Sequence, residues 1–364
     1  MTALSVLDLV PVREGTTPAD ALQASLDLAR HAEALGYRRF WVAEHHNMVG
    51  ISGAATSVVL AHIAAGTSTI RVGSGGIMLP NHSPLQVAEQ FGTLESLHPG
   101  RIDLGLGRAP GTDQLTARAM RRDLHAAAER FPEDVRELRA LLDDPVPGQP
   151  IRAVPGAGLK VPLWMLGSSL FGAQLAAALG LPYAFASHFA PDALDAALAV
   201  YRERFVPSAQ LAEPHAVPCV NVVVADTDAE ARRLYTTLQQ MFVGMLRGAR
   251  GLMPPPIDDI DTYWSAAEKA QVSHMLSCSF VGSPDTVAAA LGRFVERTAA
   301  DELMVGVPVF DQAARVRSLE LLAGIAGAPS VGAPAREDGT GEDAPAARAG
   351  ADGARRRGEE TATA

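Results

Sequence analysis

RFWVAEHHN, Arg39 to Asn47, is a short apolar run that ends abruptly in a carboxylate and two imidazoles. Its aromatic and β-branched residues suit a strand, and the polar cluster falls where that strand would stop. Just upstream, Pro18 opens a helical stretch after Thr17, with apolar positions at Leu22, Leu26 and Ala29 and a stop at Gly36. The same strand-then-helix layout returns along the chain. Expected strands are Leu4 to Val10, Arg39 to Ala43, Ile70 to Ile77, Arg101 to Gly107, Leu163 to Gly167, Tyr183 to Ser187, Ala216 to Ala225 and Glu302 to Val307. Alanine-rich helical segments fill the gaps. Eight such units fit a closed (β/α)8 TIM barrel more economically than an open doubly wound sheet.

Two stretches break the rhythm. From Gly248 to Trp264, three prolines (Pro254, Pro255, Pro256) precede Asp258, Asp259 and Asp261, which reads as a surface insertion after strand 7 and a lid at the mouth. From Gly327 to Ala364 the composition collapses to alanine, glycine, proline and charge, which cannot bury enough apolar area to offset ordering entropy. The expected organisation is a barrel domain over 1–326 and a disordered tail over 327–364.

The chain has 364 residues, 48% of them hydrophobic, and carries 31 Lys and Arg against 41 Asp and Glu for a formal charge of -10. That field repels phosphate backbones, so nucleic acid is not an expected partner. Cys219 and Cys278 are too few for a disulfide framework and lack zinc-site spacing, and no metal site is expected. A reducing cytoplasm fits. MTALSVLDLVPVREG has no basic segment before its apolar run and reads as a first strand rather than a signal peptide. Val161 to Ser187 carries no charge, but Pro162, Gly167, Gly172, Gly180 and Pro182 cut it into pieces too short to span a membrane.

Four segments could carry chemistry. In WVAEHHN, strand alternation turns His45 and His46 to opposite sides, so one of them at most faces a barrel mouth, and both could be framework histidines. In VGSGGIMLPNHSP, Val72 to Pro84, Ser74, Gly75 and Gly76 mark either a plain β-bulge or a place where a flat ring approaches the backbone. RIDLGLGRAPGTD, Arg101 to Asp113, offers glycines and the Arg108 fork for an anion, with a spacing that does not match a dinucleotide fingerprint. Ser168 and Ser169 stand where a helix should begin, either as simple caps or as a phosphate site with the free amides of that helix. Met78, Leu79, Phe189 and the insertion near Trp264 are expected to line the mouth and to favour an apolar or aromatic substrate.

Taken in order, WVAEHH, VGSGGIMLPNHSP, GRIDLGLGRAPG, LGSS and LGLPYAFASHF resemble the bacterial luciferase-like flavin-dependent monooxygenases, up to about Ala326. The resemblance implies a barrel that binds reduced FMN in its mouth, activates O2 as a flavin C4a-hydroperoxide and oxygenates a small organic substrate. His45 then matches an acid or base beside the flavin. Gly75 and Gly76 match a pair that forms a non-prolyl cis peptide against the ring, and Arg108, Ser168 and Ser169 match the phosphate clamp. Gly107 stands where light-emitting relatives have cysteine, so luminescence is not implied. Ser168 and Gly172 replace an acidic residue and a threonine of the clamp. A separate flavin reductase and a homodimer are the expected partners. The alternatives are an F420-dependent hydride-transfer enzyme of the same fold, a non-catalytic flavin-binding protein, and a metal hydrolase using Glu44, His45, His46 and His188.

Overall fold

The computed structural model describes residues 2–109, 114–120 and 123–327, all within one compact unit, Met1–Ser330. The first strand, β1 (Ala3–Asp8), is followed by α1 (Pro18–Ala34), whose entry is a complete capping box. Thr17 Oγ1 accepts the Asp20 N–H at 3.2 Å, and the Asp20 carboxylate accepts the Thr17 N–H at 2.8 Å. Such a cap is worth about 1 kcal/mol. Ala21, Leu26, Leu28, Ala29 and Ala32 form the buried stripe that lays α1 on the sheet, and Gly36 turns the chain at φ 79° into β2 (Arg39–Val42).

The remaining elements are α2 (Thr56–Ala65), β3 (Arg71–Met78), α3 (Pro84–Leu97), β4 (Ile102–Gly107), α4 (Gln114–Ala119), α5 (Leu124–Leu142), β5 (Leu163–Gly167), α6 (Leu170–Leu179), β6 (Tyr183–Phe185), α7 (Leu194–Glu203), β7 (Ala216–Val224), α8 (Asp228–Leu246), α9 (Ala266–Met275), β8 (Ser279–Gly282), α10 (Pro284–Thr298), β9 (Glu302–Gly306) and α11 (Gln312–Ala326). Strands β1 to β7 and then β9 form a closed parallel ring, sealed by Tyr183 opposite Ala216 and by Ser5 opposite Met304. This is the expected eight-stranded barrel. None of the helices among the described residues is long and apolar enough to cross a membrane.

One strand was not expected from the sequence. The four residues of β8 pair with the far half of β7, Asn221 opposite Ser279 through Val224 opposite Gly282, outside the ring. The expected insertion therefore continues beyond Trp264 through α9 and β8. The expected tail lies outside the described residues apart from Gly327, which caps α11 in the left-handed conformation.

Alternation divides the apolar side chains into two cores. Val6, Phe40, Val42, Ile102 and Leu104 pack between the sheet and the helices, while Leu7, Trp41, Ala43, Trp164, Ala184, Val217 and Met304 fill the barrel itself. At the amino ends of the strands the interior is ionic. Arg39 lies 2.7 Å from both Asp103 and Glu302 and stacks 4.4 Å over the Trp164 ring. Arg71 adds a 2.6 Å contact to Asp103, and Ser5 and His215 complete the shell of Glu302. Burial alone would raise the Glu302 pKa; His215, Arg39 and Ser5 overcome that and bring it to about 2. This plug fills the amino-terminal end of the barrel.

Candidate active site

Because Trp41 and Ala43 point into the barrel, the next residue of that parity, His45, does so too, at the end of β2. It is half-buried, and its Nδ1 has no hydrogen-bond partner among the described residues. Burial first, and then the charge of Arg250, lower its pKa below the ordinary 6.5, against a smaller opposing pull from Glu44. His45 is therefore a neutral imidazole at pH 7, able to take a proton.

A second imidazole faces it. His188 follows β6 at the parity of Ala184, and its Nδ1 is also unpartnered. Burial, followed by the neighbouring His45, pushes its pKa down to about 4. The segment is held by Asn221 Nδ2, which donates to the His188 carbonyl at 2.7 Å, and by Ser187 Oγ, which donates to the Cys219 carbonyl at 2.6 Å. Phe189 sits edge-on to His188 at 4.8 Å and is substantially exposed at the rim. Cys219 and Cys278 are both buried, and burial raises both thiols, so neither is an activated nucleophile.

On the outer side of β2, Glu44 is fully buried and organises the loop after β3. It accepts from His46 Nε2 at 2.7 Å, from His82 Nε2 at 2.9 and 3.0 Å, from Asn81 Nδ2 at 3.2 Å and from the Met78 N–H at 3.0 Å. Burial would raise its pKa, but the His46, His82 and Met78 donors outweigh it and lower the value to about 2. Glu44, His46 and His82 offer ligand atoms within 4.8 Å of one another. Direct hydrogen bonds already satisfy this carboxylate without an ion. The four residues of the metal-hydrolase alternative are thereby split: Glu44 and His46 lie on one side of the strand, His45 and His188 on the other.

Gly75 and Gly76 sit at a register shift between β3 and β4, and the bond between them is cis. A Cβ on Gly75 would lie 2.6 Å from Leu7 Cδ1, and one on Gly76 would lie 2.8 Å from the Gly105 carbonyl. At Gly76 the obstacle is backbone and leaves no room for a side chain, whereas at Gly75 it is the tip of the movable Leu7 side chain. Gly105 is tighter still, with a Cβ position 2.1 Å from the Ser74 carbonyl.

Arg108, exposed at the end of β4, reaches the first turn of α6 and stacks 4.0 Å over the Phe171 ring. Ser169 occupies the cap position of α6 but makes no side-chain cap bond, which removes the simple capping reading. Its carbonyl accepts from Tyr183 Oη at 3.2 Å, which ties the turn to β6. Ser168 is half-buried beside it. A guanidinium, two serines and free helix amides form a donor set that suits a phosphate dianion. The residues present therefore fit an FMN-like group.

One expected mouth residue is elsewhere. Leu79 is completely buried in the core between sheet and helices, because the chain after Met78 turns outward in a short 3-10 turn. Trp264 packs on Leu238, Val243, Val272 and Leu276 and donates to Asp261 at 2.7 Å, so it anchors the insertion. Met78 does point toward Gly107, its Sδ 2.8 Å from where a Cβ there would stand. The sequence analysis offered His188 only as a metal ligand, did not pair His82 with Glu44 and overlooked Arg250. The parity of Ala184 was the available signal for His188; the other two depend on how loops cross.

The luciferase-like monooxygenase family model matches residues 2–302. A luciferase-like monooxygenase of Escherichia coli (strain K12) is 54% identical over 319 residues, covering 88% of this chain and 95% of that protein. An N-acetyl-S-alkylcysteine monooxygenase of Bacillus subtilis (strain 168) is 33% identical over 88% of this chain and 97% of its own. Among solved structures, apo-MsnO8 superposes with a TM-score of 0.80 at 39% identity, covering 90% of this chain and 99% of that one. The fold extends to the FMN complex of the oxygenating constituent of 3,6-diketocamphane monooxygenase from Pseudomonas putida (TM-score 0.65, 17% identity, 88% of this chain and 96% of that one). It also extends to an F420-dependent secondary alcohol dehydrogenase (TM-score 0.65, 16% identity, 90% and 98%).

Proposed function

The chain belongs to the luciferase-like monooxygenase family, and on that premise we propose that it is an FMN-dependent monooxygenase acting with reduced FMN and O2 on a small organic substrate. What supports this reading is the meeting of Arg108 with the serine-led start of α6, together with an unpartnered imidazole, His45, beyond β2. When bound, reduced FMN supplies the two electrons that allow one oxygen atom to pass to the substrate and the other to leave as water.

The chain's own residues do the rest. Arg108, Ser168 and Ser169 hold the phosphate. Gly75 and Gly76 present flat backbone to the ring. His45 Nδ1 takes or returns the proton that the transfer requires, and its lowered pKa keeps it available as a base at neutral pH. His188 and Phe189 cover the site against water, which would otherwise divert the reaction to peroxide. The Arg39 plug blocks access from below. A separate flavin reductase delivers reduced FMN, and the protein works as a cytoplasmic homodimer.

The B. subtilis relative is named as a monooxygenase of a thioether, which favours oxygenation over F420-dependent hydride transfer and makes thioethers the first substrates to try. The test is titration of the protein with FMN and with F420, followed by product analysis from a thioether panel with photoreduced FMN and O2. Expected are FMN binding and a sulfoxide formed in excess of the peroxide control. His45→Ala should keep FMN binding and lose most coupled oxygenation, while unchanged product yield and rate would remove His45 from the mechanism.

A further inference from the structure

The insertion after α8 brings one more cation to the mouth. Residues 247–256 leave α8 and cross back over the loops that follow β1 and β2, on a path fixed by backbone contacts. Ala249 N–H donates to the Gly244 carbonyl at 2.8 Å, Met253 N–H to Val12 at 2.8 Å, and Glu14 N–H to Met253 at 2.9 Å. Gly50 lies so close beneath Gly251 that a Cβ on Gly50 would stand 2.3 Å from the Gly251 carbonyl oxygen. Between these anchors stands Arg250.

The other cations from the end of α8 through α9 are paired. Arg247 and Lys269 each lie 2.7 Å from a carboxylate, Glu268 and Asp261 respectively, and His274 lies 2.6 Å from Asp192. The acidic run of the insertion is committed as well: Asp258 holds Arg233 at 2.7 Å, and Asp259 accepts the Asp261 N–H at 2.9 Å. Arg250 has no carboxylate partner among the described residues. Its Nη1 lies 3.8 Å from Met48 Sδ, and its charge reaches His45. In a chain of formal charge -10, this leaves an uncompensated guanidinium over the mouth.

Arg250 is not a second piece of the phosphate clamp. Arg108 ends β4 and leans on α6, whereas Arg250 stands over β1 and β2, another sector of the rim. Met48 lies beside Arg250, and His188, the neighbour of His45, carries Phe189 edge-on, so a ligand that runs from Arg250 past His45 would have one charged end and an apolar body. A guanidinium receives a carboxylate through two parallel N–H donors, which fixes orientation as well as position.

We propose that Arg250 is a substrate-recognition residue that takes a carboxylate on the organic substrate and turns the rest of the molecule across His45 toward the apolar side of the mouth. The substrate class is thus a partly apolar organic acid, rather than a neutral hydrocarbon, aldehyde or ketone. This rests on the reading of the mouth as a flavin-dependent oxygenase site.

The test separates the two claims. Binding of oxidised and reduced FMN to the full-length protein is measured first. The FMN-loaded protein is then titrated with benzoate, 3-phenylpropanoate and octanoate, and with the primary amide of each, following the flavin absorbance. Wild type should prefer at least one acid over its amide by about tenfold or more. Arg250→Gln should abolish that preference, Arg250→Lys should keep part of it, and both should bind FMN as wild type does. A wild type that binds FMN yet takes no acid, or takes acid and amide equally, overturns the proposal, as does Arg250→Gln with its preference intact. Loss of reduced-FMN affinity in Arg250→Gln equal to its loss of acid affinity would assign the cation to the cofactor and also overturn it. Failure of wild type to bind FMN falls instead on the oxygenase reading, and with it on this proposal.

Discussion

Replacing Glu44 with glutamine tests whether the end of β2 is held by a negative charge or by shape alone. The native carboxylate is enclosed by donors from His46, His82, Asn81 and the Met78 amide at 2.7 to 3.2 Å. Burial opposes ionisation, yet these donors bring the pKa from the ordinary 4.5 down to about 2. At about 1.4 kcal/mol per pH unit, that drop corresponds to about 3 kcal/mol of stability at neutral pH. Glutamine keeps the size but turns an NH2 against donors that need an acceptor, and a buried donor left unmet costs about 1–3 kcal/mol. The expected loss in urea denaturation at pH 7 is therefore about 3 kcal/mol. The sign of the pH dependence follows from the lowered pKa. The contribution is fully present above pH 4.5 and is lost as the pH falls through about 2, so the gap between wild type and Glu44→Gln narrows across that window. A gap under about 1 kcal/mol at pH 7, or one that stays constant down to pH 3, would refute the reasoning.

Two further outcomes follow from the same structure. Arg39→Met leaves Asp103 with Arg71 and Glu302 with Ser5 and His215 but removes the guanidinium they share, so thermal or urea unfolding should show a loss of about 3 kcal/mol, and a loss under about 1 kcal/mol would mean the plug is not held by Arg39. Arg108→Gln, at an exposed side chain, should leave the melting temperature unchanged while weakening FMN binding about tenfold or more, and equal affinity by fluorescence quenching would remove Arg108 from the clamp.

The fold was legible because periodicity and punctuation are local. Thr17, Pro18 and Gly36 bound α1 in the sequence as they do in space, and the eight ring strands lie where apolar runs stand between helical segments. The strand that escaped, SFVG of β8, has only four residues, and the first three are half-exposed, so neither length nor alternation separates it from a loop. Leu79 reads like any apolar residue after a strand, and only the outward turn of the chain after Met78 shows which core receives it.

The sequence by itself determined the barrel, the opposite facing of His45 and His46, and the placing of Arg108 and Ser169 at successive strand ends, because each depends on residues a few positions apart. Tertiary structure alone decided which imidazoles lie together, that Glu44 is satisfied by His82 from another loop, and that Arg250 arrives with no counter-ion among the described residues. Those outcomes depend on burial and on the crossing of distant loops. Electrostatic partners are chosen by distance in space, and a one-dimensional pattern records that only where the chain happens to stay close to itself.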